Sequence, residues 1–162
     1  PDGIIEAIPL QVPGFHNVEN AIAAAAAALR MGVAPRAVRE ALTTYKGVKR
    51  RFEYILKTEK TIFIDDYAHH PAEIEAFLTS VKALYPDRTL TAIFQPHLYS
   101  RTRDFAAAFG ESLSIADRTI VLDIYPAREL PIEGVSAELI FQYVRSARKV
   151  QCPKTELTNE LE

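Results

Sequence analysis

The feature that most constrains the fold is a regular alternation of apolar runs with helix-like segments after Gly47. The runs TLTAIFQ, RTIVLDIY and KVQC are rich in apolar and β-branched residues, as buried strands are. Each is preceded by a segment that favours a helix, in order PAEIEAFLTSVKALY, RDFAAAFGESLSIA and SAELIFQYVRSA. This α/β alternation predicts βαβ units, a mainly parallel sheet with helices on both faces, and right-handed crossovers.

Two further types of element are expected before this alternation. The runs RFEYILK and TIFIDD are separated only by TEK, which predicts a β-hairpin. Upstream, FHNVENAIAAAAAALRMG and APRAVREALTTYKG predict a helix pair, with Asn17 as the first N-cap and Pro35 opening the second helix. The change from helices to strands predicts two domains, residues 1–48 and residues 49–162.

Composition excludes several classes of protein. The 162 residues carry 19 Lys and Arg against 21 Asp and Glu, so the net charge is −2. That balance does not suggest a nucleic-acid or membrane-surface binder, and no apolar run is long enough to span a bilayer. A single cysteine, Cys152, forms no disulfide framework and fits a reducing, cytoplasmic location. The opening PDGIIEAIPL has no initiator methionine and is expected to come from inside a longer protein.

Polar residues cluster directly after three of the predicted strands. In open α/β sheets, ligands bind beyond the carboxyl ends of the strands. We therefore expect these clusters to converge on one edge of the sheet. The first is Asp65–His70, the second holds Gln95, His97, Tyr99 and Arg101, and the third holds Asp123, Tyr125, Arg128 and Glu129.

The histidines leave two interpretations open. His69 and His70 are adjacent, whereas metal-binding pairs are usually spaced i, i+4 on a helix or i, i+2 on a strand. We therefore predict no metal, although a metal-dependent hydrolase using His69, His97 and Asp66 is the alternative. His70 is expected to cap the helix that begins at Pro71, and His69 and His97 are expected to contact a substrate.

The arginines suggest anionic ligands. Arg50 and Arg51 precede a strand, where a planar guanidinium suits phosphate, although a solvated basic pair is also possible. Arg101 and Arg103 lie at a helix start, where a cation opposes the helix dipole. We expect an external anion, such as a carboxylate, to meet Arg101 there.

Two amides lie one turn apart at the start of the alanine-rich helix. Asn17 and Asn20 are spaced i, i+3, so they share one face. They are able to read the edge of a base or hold a phosphate, whereas a purely structural capping role is the alternative.

Taken together, four motifs resemble the Mur ligases, the ATP-dependent amide-forming enzymes of peptidoglycan synthesis. They are GFHNVENAIAAAAAA, GVKRRFE, DDYAHHPAEI and FQPHLYSRTRDF, and they cover the chain from about Gly14 to Ile140. The HNxxN and RFE elements resemble the whole family. The pair DDYAHHP and QPHLYSRT resembles the branch that joins L-alanine to UDP-N-acetylmuramate.

The resemblance implies a three-domain protein. In that family the first domain binds the UDP-sugar, the central one is an ATPase with a P-loop, and the last is Rossmann-like and brings in the amino acid. No GxxGKT pattern occurs in these 162 residues. Residues 1–48 would then be the tail of the central domain and residues 49–162 a Rossmann-like domain truncated at its end. Activity would require ATP, Mg²⁺ and the missing domains, so the fragment alone would be inactive. A further alternative is that the chain is a nucleotide-binding module without catalytic activity.

The resemblance also assigns roles at the amino-acid site. It implies that Tyr67 and His69 line the amino-acid pocket and that His97 and Arg101 face them. Arg101 would bind the carboxylate of L-alanine, and His69, His97 and Arg101 would be the catalytic set. Asp66 would accept hydrogen bonds from the ATP ribose. The reaction implied is attack of the L-alanine amine on an acyl phosphate.

Further roles concern the rest of ATP. Arg51 resembles a phosphate-contacting arginine at the interdomain hinge of the family. Asn20 resembles an adenine-contacting amide, and Asn17 lies nearby. At the aspartate and arginine positions the sequence has two identical residues in a row. The family roles therefore fall to either Asp65 or Asp66, and to either Arg50 or Arg51. Leu98 stands where many relatives carry arginine, and the loop at 126–134 is given no role.

Overall fold

A computed structural model of the protein describes residues 8–161. The chain forms two compact units, one extending to Tyr67 and the other beginning at Ala68. The first unit contains the helix pair and the hairpin, and the second contains the alternating strands and helices. Within residues 8–161, no helix combines the length and the apolarity needed to cross a membrane.

The first unit begins with the two predicted helices. The alanine-rich α1 ends before Gly32, which has φ +87°, and Pro35 opens the second helix, as expected. The N-cap prediction was wrong, because the helix starts at Phe15 and Asn17 lies inside its first turn, donating from Nδ2 to the Pro13 carbonyl at 2.7 Å. The helices are α1 (Phe15–Arg30) and α2 (Pro35–Thr44).

A β-hairpin completes this unit. Strands β1 (Glu53–Lys57) and β2 (Ile62–Asp65) pair antiparallel, which confirms the predicted hairpin. Thr58 closes the turn, since its N–H and its hydroxyl both donate to the Thr61 carbonyl, at 2.8 and 2.9 Å. The hydrogen-bonded turn fixes the pairing of Lys57 with Ile62, and a register shift between Tyr54 and Leu56 then brings Glu53 opposite Asp65.

The second unit is built on a three-stranded parallel sheet, in the order β3-β4-β5. In its register Ile93 lies beside Ile120, which lies beside Val150. This confirms the predicted α/β fold with a parallel sheet. Its elements are α3 (Pro71–Leu84), β3 (Thr91–Phe94), α4 (Tyr99–Leu113), β4 (Arg118–Leu122), α5 (Glu138–Phe141), β5 (Arg148–Cys152), a 3₁₀ turn (Lys154–Glu156) and α6 (Leu157–Leu161).

Helices pack on both faces of this sheet, but unequally. Phe94 and Val121 face the side covered by α3, α4 and α5, which contribute the larger hydrophobic core. On the opposite face a smaller cluster joins Ile120 and Cys152 to Leu157 of α6. The Cys152 thiol is buried, and burial raises its pKa above the ordinary value. The thiol is therefore a packing group of the smaller face.

Close contact between α4 and α5 depends on Gly110. A Cβ atom built on Gly110 would lie 2.4 Å from Tyr143 Cβ and 3.0 Å from the Ile140 carbonyl oxygen. Real Cβ atoms essentially never show the first of these distances, so a side chain at this position would force the helices apart. Gly110 therefore sets how closely α4 approaches the segment that contains α5.

The expectation that three polar clusters share one sheet edge holds only in part for the first of them, because its strand lies outside the parallel sheet although its residue His69 is close enough to His97 to lower the pKa of that residue. β2, which precedes Asp65–His70, pairs with β1 in a separate two-stranded sheet. Antiparallel pairing across the short turn satisfies the backbone groups along one edge of β2 locally. The three-stranded sheet accordingly brings only the second and third clusters to the ends of its own strands.

Candidate functional site

Two loops meet at the carboxyl edge of the parallel sheet. Between them, Tyr125 N–H donates to the Pro96 carbonyl at 2.8 Å, and Leu98 N–H donates to the Tyr125 carbonyl at 3.0 Å. The rings of His97 and Tyr125 stack with centroids 5.6 Å apart. These contacts extend the pairing of β3 and β4 beyond the strands and fix the position of His97.

The N-terminus of α4 is capped by a residue from the second loop. Leu98, at the N-cap position, offers no side-chain acceptor and adopts φ +76°. The Glu129 carboxylate instead accepts from the Ser100 N–H at 2.9 Å and from the Ser100 hydroxyl at 2.5 Å. These two bonds, with Arg101 nearby, hold the pKa of Glu129 below its usual value. Glu129 is therefore a charged cap for α4 near neutral pH.

Arg101 lies in the first turn of α4, beside this carboxylate. Its side chain is half-buried, and within the described part of the chain its guanidinium forms no ion pair shorter than 4.0 Å. Arg103, by contrast, is exposed and pairs with Asp104 at 2.8 Å. The expectation of an external anion at the helix start must be refined, because Glu129 already occupies that end of the helix. The Arg101 guanidinium itself remains available to a ligand.

His97 has an electrostatic environment that favours its neutral form. Partial burial, followed by the positive charge of Arg101 and the proximity of His69, holds the pKa of His97 below the ordinary value, and Glu129 opposes that shift. A neutral imidazole is able to accept a hydrogen bond from an amine. His69, His97, Arg101, Tyr125 and Glu129 are called the sheet-edge site below.

The start of α3 positions the two adjacent histidines. His70 is the N-cap of α3, which confirms the prediction, and its Nδ1 accepts from the Ala72 N–H at 3.4 Å. The Glu73 carboxylate accepts from the N–H groups of His69 and His70 at 2.9 and 3.2 Å. The His69 ring also contacts Glu73, at 3.3 Å from Nδ1 to Oε2. The capping box thus fixes the backbone that carries His69.

Within the first unit, both aspartates of the DD pair make contacts. The Asp66 carboxylate accepts from the Phe52 N–H at 2.8 Å, and Asp65 pairs with Arg50 at 3.5 Å. The Arg50 guanidinium also lies 4.9 Å from the centre of the Tyr67 ring, which is half exposed. Of the doubled residues, Arg50 is therefore engaged locally, and Asp66 helps to hold the backbone at Phe52.

A pocket beside α1 and α2 contains the other predicted residues. Asn17, Asn20 and Arg51 all line this cavity, whose volume is about 340 Å³. Gly47, with φ +85°, also lines it, and a Cβ there would lie 3.0 Å from Val12 Cγ2. We call this cavity the helix-pair pocket. It is lined by Leu10, Gln11, Val12, Asn17, Asn20, Ala21, Ala24, Ala41, Leu42, Tyr45, Gly47, Val48 and Arg51.

The helix-pair pocket has the character of a site for a flat, partly polar ring. Small alanine side chains and aliphatic groups form most of its lining, and Tyr45 adds an aromatic ring. Two amides supply donors and acceptors, and Arg51 supplies a cation. Pockets for small ligands share this mixture of apolar walls and a few polar groups, in a volume of this order.

The alternative of a metal site finds no support in this geometry. Among residues 8–161, no group of three or more His, Cys, Asp and Glu side chains is arranged to hold a metal ion. His69 and His97 interact electrostatically, but the Asp66 carboxylate is bonded to the backbone at Phe52. The metal-dependent hydrolase therefore has no structural observation in its favour.

Sequence analysis missed the role of Glu129. The residue was placed in the third polar cluster, but its partner Ser100 lies 29 residues earlier, separated from it by the rest of α4, by β4 and by two loops. The only available signal was a carboxylate on a loop following a buried strand. In the structure, the N-terminus of α4 lacks a side-chain acceptor at its own N-cap, so an acceptor must come from elsewhere.

Comparison with known proteins identifies the family. A family model described as "Mur ligase, glutamate ligase domain" matches residues 50–160. The chain is 51% identical over 157 residues to UDP-N-acetylmuramate--L-alanine ligase of Parabacteroides distasonis, and 46% identical over 155 residues to that of Cytophaga hutchinsonii. These alignments cover 97% and 96% of this chain but 34% and 33% of the relatives.

A solved structure gives the same result. The UDP-N-acetylmuramate-alanine ligase MurC of Thermotoga maritima superposes with a TM-score of 0.72 at 31% identity, covering 94% of this chain and 33% of that one. The chain thus spans about a third of the length of the relatives it matches. From the family match, which covers most of the chain, and from these relatives, we conclude that the protein belongs to the Mur ligase family.

Proposed function

We propose that the chain is part of an ATP-dependent ligase that joins L-alanine to UDP-N-acetylmuramate. The observation that carries this proposal is the half-buried Arg101 guanidinium, without an ion pair among the described residues, beside the neutral His97 ring. A cation and a proton acceptor in one place suit an amino acid, which has a carboxylate and an amine. Sequence identity of 46 to 51% to L-alanine-adding ligases supports the same substrate.

At the sheet-edge site, each side chain has a proposed role in holding L-alanine. Arg101 binds the carboxylate, because a guanidinium makes two parallel hydrogen bonds to it. Neutral His97 accepts a hydrogen bond from the amine. His69 and Tyr67 complete the amino-acid pocket, by analogy with the family motif. These roles position the amine for attack and require no nucleophile from the protein.

In the helix-pair pocket, the proposed ligand is the adenine end of ATP. Asn20 and Asn17 bind polar atoms of the base, and the alanine face of α1 packs against its ring. Arg51 contacts phosphate, and Asp66 contacts the ribose. When bound, ATP supplies the phosphoryl group that activates the carboxylate of UDP-N-acetylmuramate. The Mg²⁺ that the family resemblance implies has no candidate ligand set within residues 8–161.

The domain arrangement is proposed on the same basis. Residues 1–48 would end the central ATPase domain, and residues 49–162 would form the amino-acid domain, while the family match begins at residue 50. UDP-N-acetylmuramate would bind to portions of the full-length protein outside this chain. We place the reaction in the cytoplasm, where ATP is available.

The proposal is tested by phosphate release from ATP in the full-length protein that contains this chain. Release is expected only when both UDP-N-acetylmuramate and L-alanine are present. Replacing L-alanine by glycine or L-serine should reduce kcat/KM, and omitting either substrate is the control. The 162-residue chain alone should give no release. Release that is independent of the amino acid would contradict the proposed ligase.

A further inference from the structure

We propose that Glu129 is a positioning residue for the amino-acid substrate, acting through the turn that carries His97 and Arg101. The inference rests on the proposed function and adds a residue to it, on the loop at 126–134. Glu129 does not itself touch the substrate in this proposal. It holds the first turn of α4 so that Arg101 presents its guanidinium toward the substrate carboxylate.

Glu129 is bonded directly to the residue that precedes Arg101. Its two carboxylate oxygens accept from the N–H and the hydroxyl of Ser100, the residue next to Arg101. Hydrogen bonds to a charged acceptor are among the stronger ones in proteins. The side chain is only partly exposed, so these bonds are partly shielded from water. Glu129 therefore fixes the backbone immediately before Arg101.

The first turn of α4 needs support from outside the helix. Leu98 adopts φ +76°, a conformation that costs energy for a residue with a side chain. The helix has no side-chain cap at its own N-cap position. Contacts from the loop after β4 hold both ends of the turn, with Tyr125 at Leu98 and Glu129 at Ser100.

Glu129 also affects where a substrate carboxylate binds. Helix N-termini attract anions through their free N–H groups. At α4 the Ser100 N–H is already bonded to Glu129, and the negative charge of Glu129 repels a second carboxylate from that position. Arg101 is left as the cation available to the substrate. Glu129 thus directs the carboxylate to the Arg101 side chain and away from the helix end.

The experiment measures steady-state kinetics of the full-length ligase with each substrate varied. In Glu129→Ala the KM for L-alanine is expected to rise about tenfold, the typical loss for a charged hydrogen bond. The KM for ATP should change less than twofold. Glu129→Gln keeps an acceptor for Ser100 and should restore most of the affinity. Glu133→Ala, an exposed residue on the same loop, is the matched control and should match the wild type.

A double-mutant cycle separates positioning from a general structural effect. If Glu129 acts through Arg101, adding Glu129→Ala to Arg101→Ala should raise the L-alanine KM by less than twofold more. Thermal melts identify a variant that fails to fold, and Ser100→Ala, which removes the hydroxyl that donates to Glu129, then takes the place of Glu129→Ala and should raise the L-alanine KM but not the ATP KM.

The outcomes distinguish this inference from the proposed function. A wild-type protein without L-alanine-dependent phosphate release overturns both. An active wild type whose Glu129 variants change the KM values for ATP and L-alanine equally, or change neither, overturns the positioning role alone. Full additivity with Arg101→Ala also overturns it.

Discussion

The helix-pair pocket and the sheet-edge site lie in different units of the chain and are built in different ways. The pocket is formed by small and aliphatic side chains on two helices, with two amides and one guanidinium. At the sheet edge, charged and aromatic side chains stand on two loops that hydrogen-bond to each other. The pocket is therefore suited to recognise a ligand by shape, and the sheet edge by charge.

This difference predicts how substitutions should act. Changes in the pocket should weaken binding of a nucleotide in small steps, because several weak contacts share the energy. Changes at the sheet edge should have larger effects on one substrate, because a single charged pair dominates there. The largest effect is expected where packing supports the sheet edge, and the smallest is an electrostatic effect.

Gly110→Val should have the largest effect, on stability. The added atoms would overlap Tyr143 and the Ile140 carbonyl, so the free energy of unfolding should fall by about 3 kcal/mol or more. Thermal melts of the full-length protein are the measurement. Ala107→Ser, on the exposed side of the same helix, is the control and should cost less than about 0.5 kcal/mol. An unchanged melting temperature for Gly110→Val would mean that α4 and α5 are not in close contact.

Arg101→Ala should raise the KM for L-alanine by about 10- to 100-fold and leave the KM for ATP nearly unchanged. Arg101→Lys should also be impaired, because lysine keeps the charge but loses the planar fork. Stability should change little, since no ion pair among residues 8–161 is lost.

Arg103→Ala is the matched control for Arg101, because Arg103 lies in the same turn but is exposed and paired with Asp104. Its KM values should equal those of the wild type. If the two arginine variants affect L-alanine equally, the contrast between a charge-based site and a shape-based pocket fails.

Asn20→Ala and Arg51→Ala should each raise the KM for ATP by about 2- to 10-fold, because each removes one polar contact. The KM for L-alanine should remain constant. Glu19→Gln, on the same helix but outside the pocket lining, is the control. A larger change in the KM for L-alanine than in the KM for ATP would show that ATP is the wrong ligand for the helix-pair pocket.

The smallest predicted effect is the titration of His97. Because burial, Arg101 and His69 lower its pKa, the folded protein binds this proton less tightly than the unfolded chain. As the pH falls through the range in which an ordinary histidine titrates, His97 should therefore lower the free energy of unfolding. Above that pH range, His97 should have no such effect. A histidine ring titration followed by NMR should place its pKa below 6.5.

Arg101→Ala should move the His97 pKa upward, because it removes a neighbouring positive charge. A His97 pKa at or above 6.5 in the wild type would contradict the electrostatic description of the sheet-edge site.

Local patterns in the sequence predicted most of the elements correctly. Pro71 and Glu73 after His70 form a capping signature that depends on neighbouring residues, and the structure confirms it. The helix pair, the hairpin and the alternating strands likewise follow from composition and periodicity. Asn17 was misplaced because Gly14, with φ +104°, starts the helix three residues earlier.

Non-local contacts were beyond sequence reasoning. The pairing of β2 with β1 was predicted, but that β2 lies outside the parallel sheet was not, because this depends on strands distant in the sequence. Glu129 caps a helix 29 residues before it in the chain, and no local pattern encodes that contact. The unusual φ of Leu98 is imposed by the neighbouring loop, since leucine has no preference for it.

The buried thiol of the smaller sheet face has a practical consequence. Cys152 is the only cysteine in the 162 residues and lies at the end of β5 with 5% of its surface exposed. A thiol reagent reacts with the thiolate, and both burial and the raised pKa suppress that form in the folded state. Alkylation of Cys152 therefore requires β5 to open, so the rate of alkylation measures how often that strand opens.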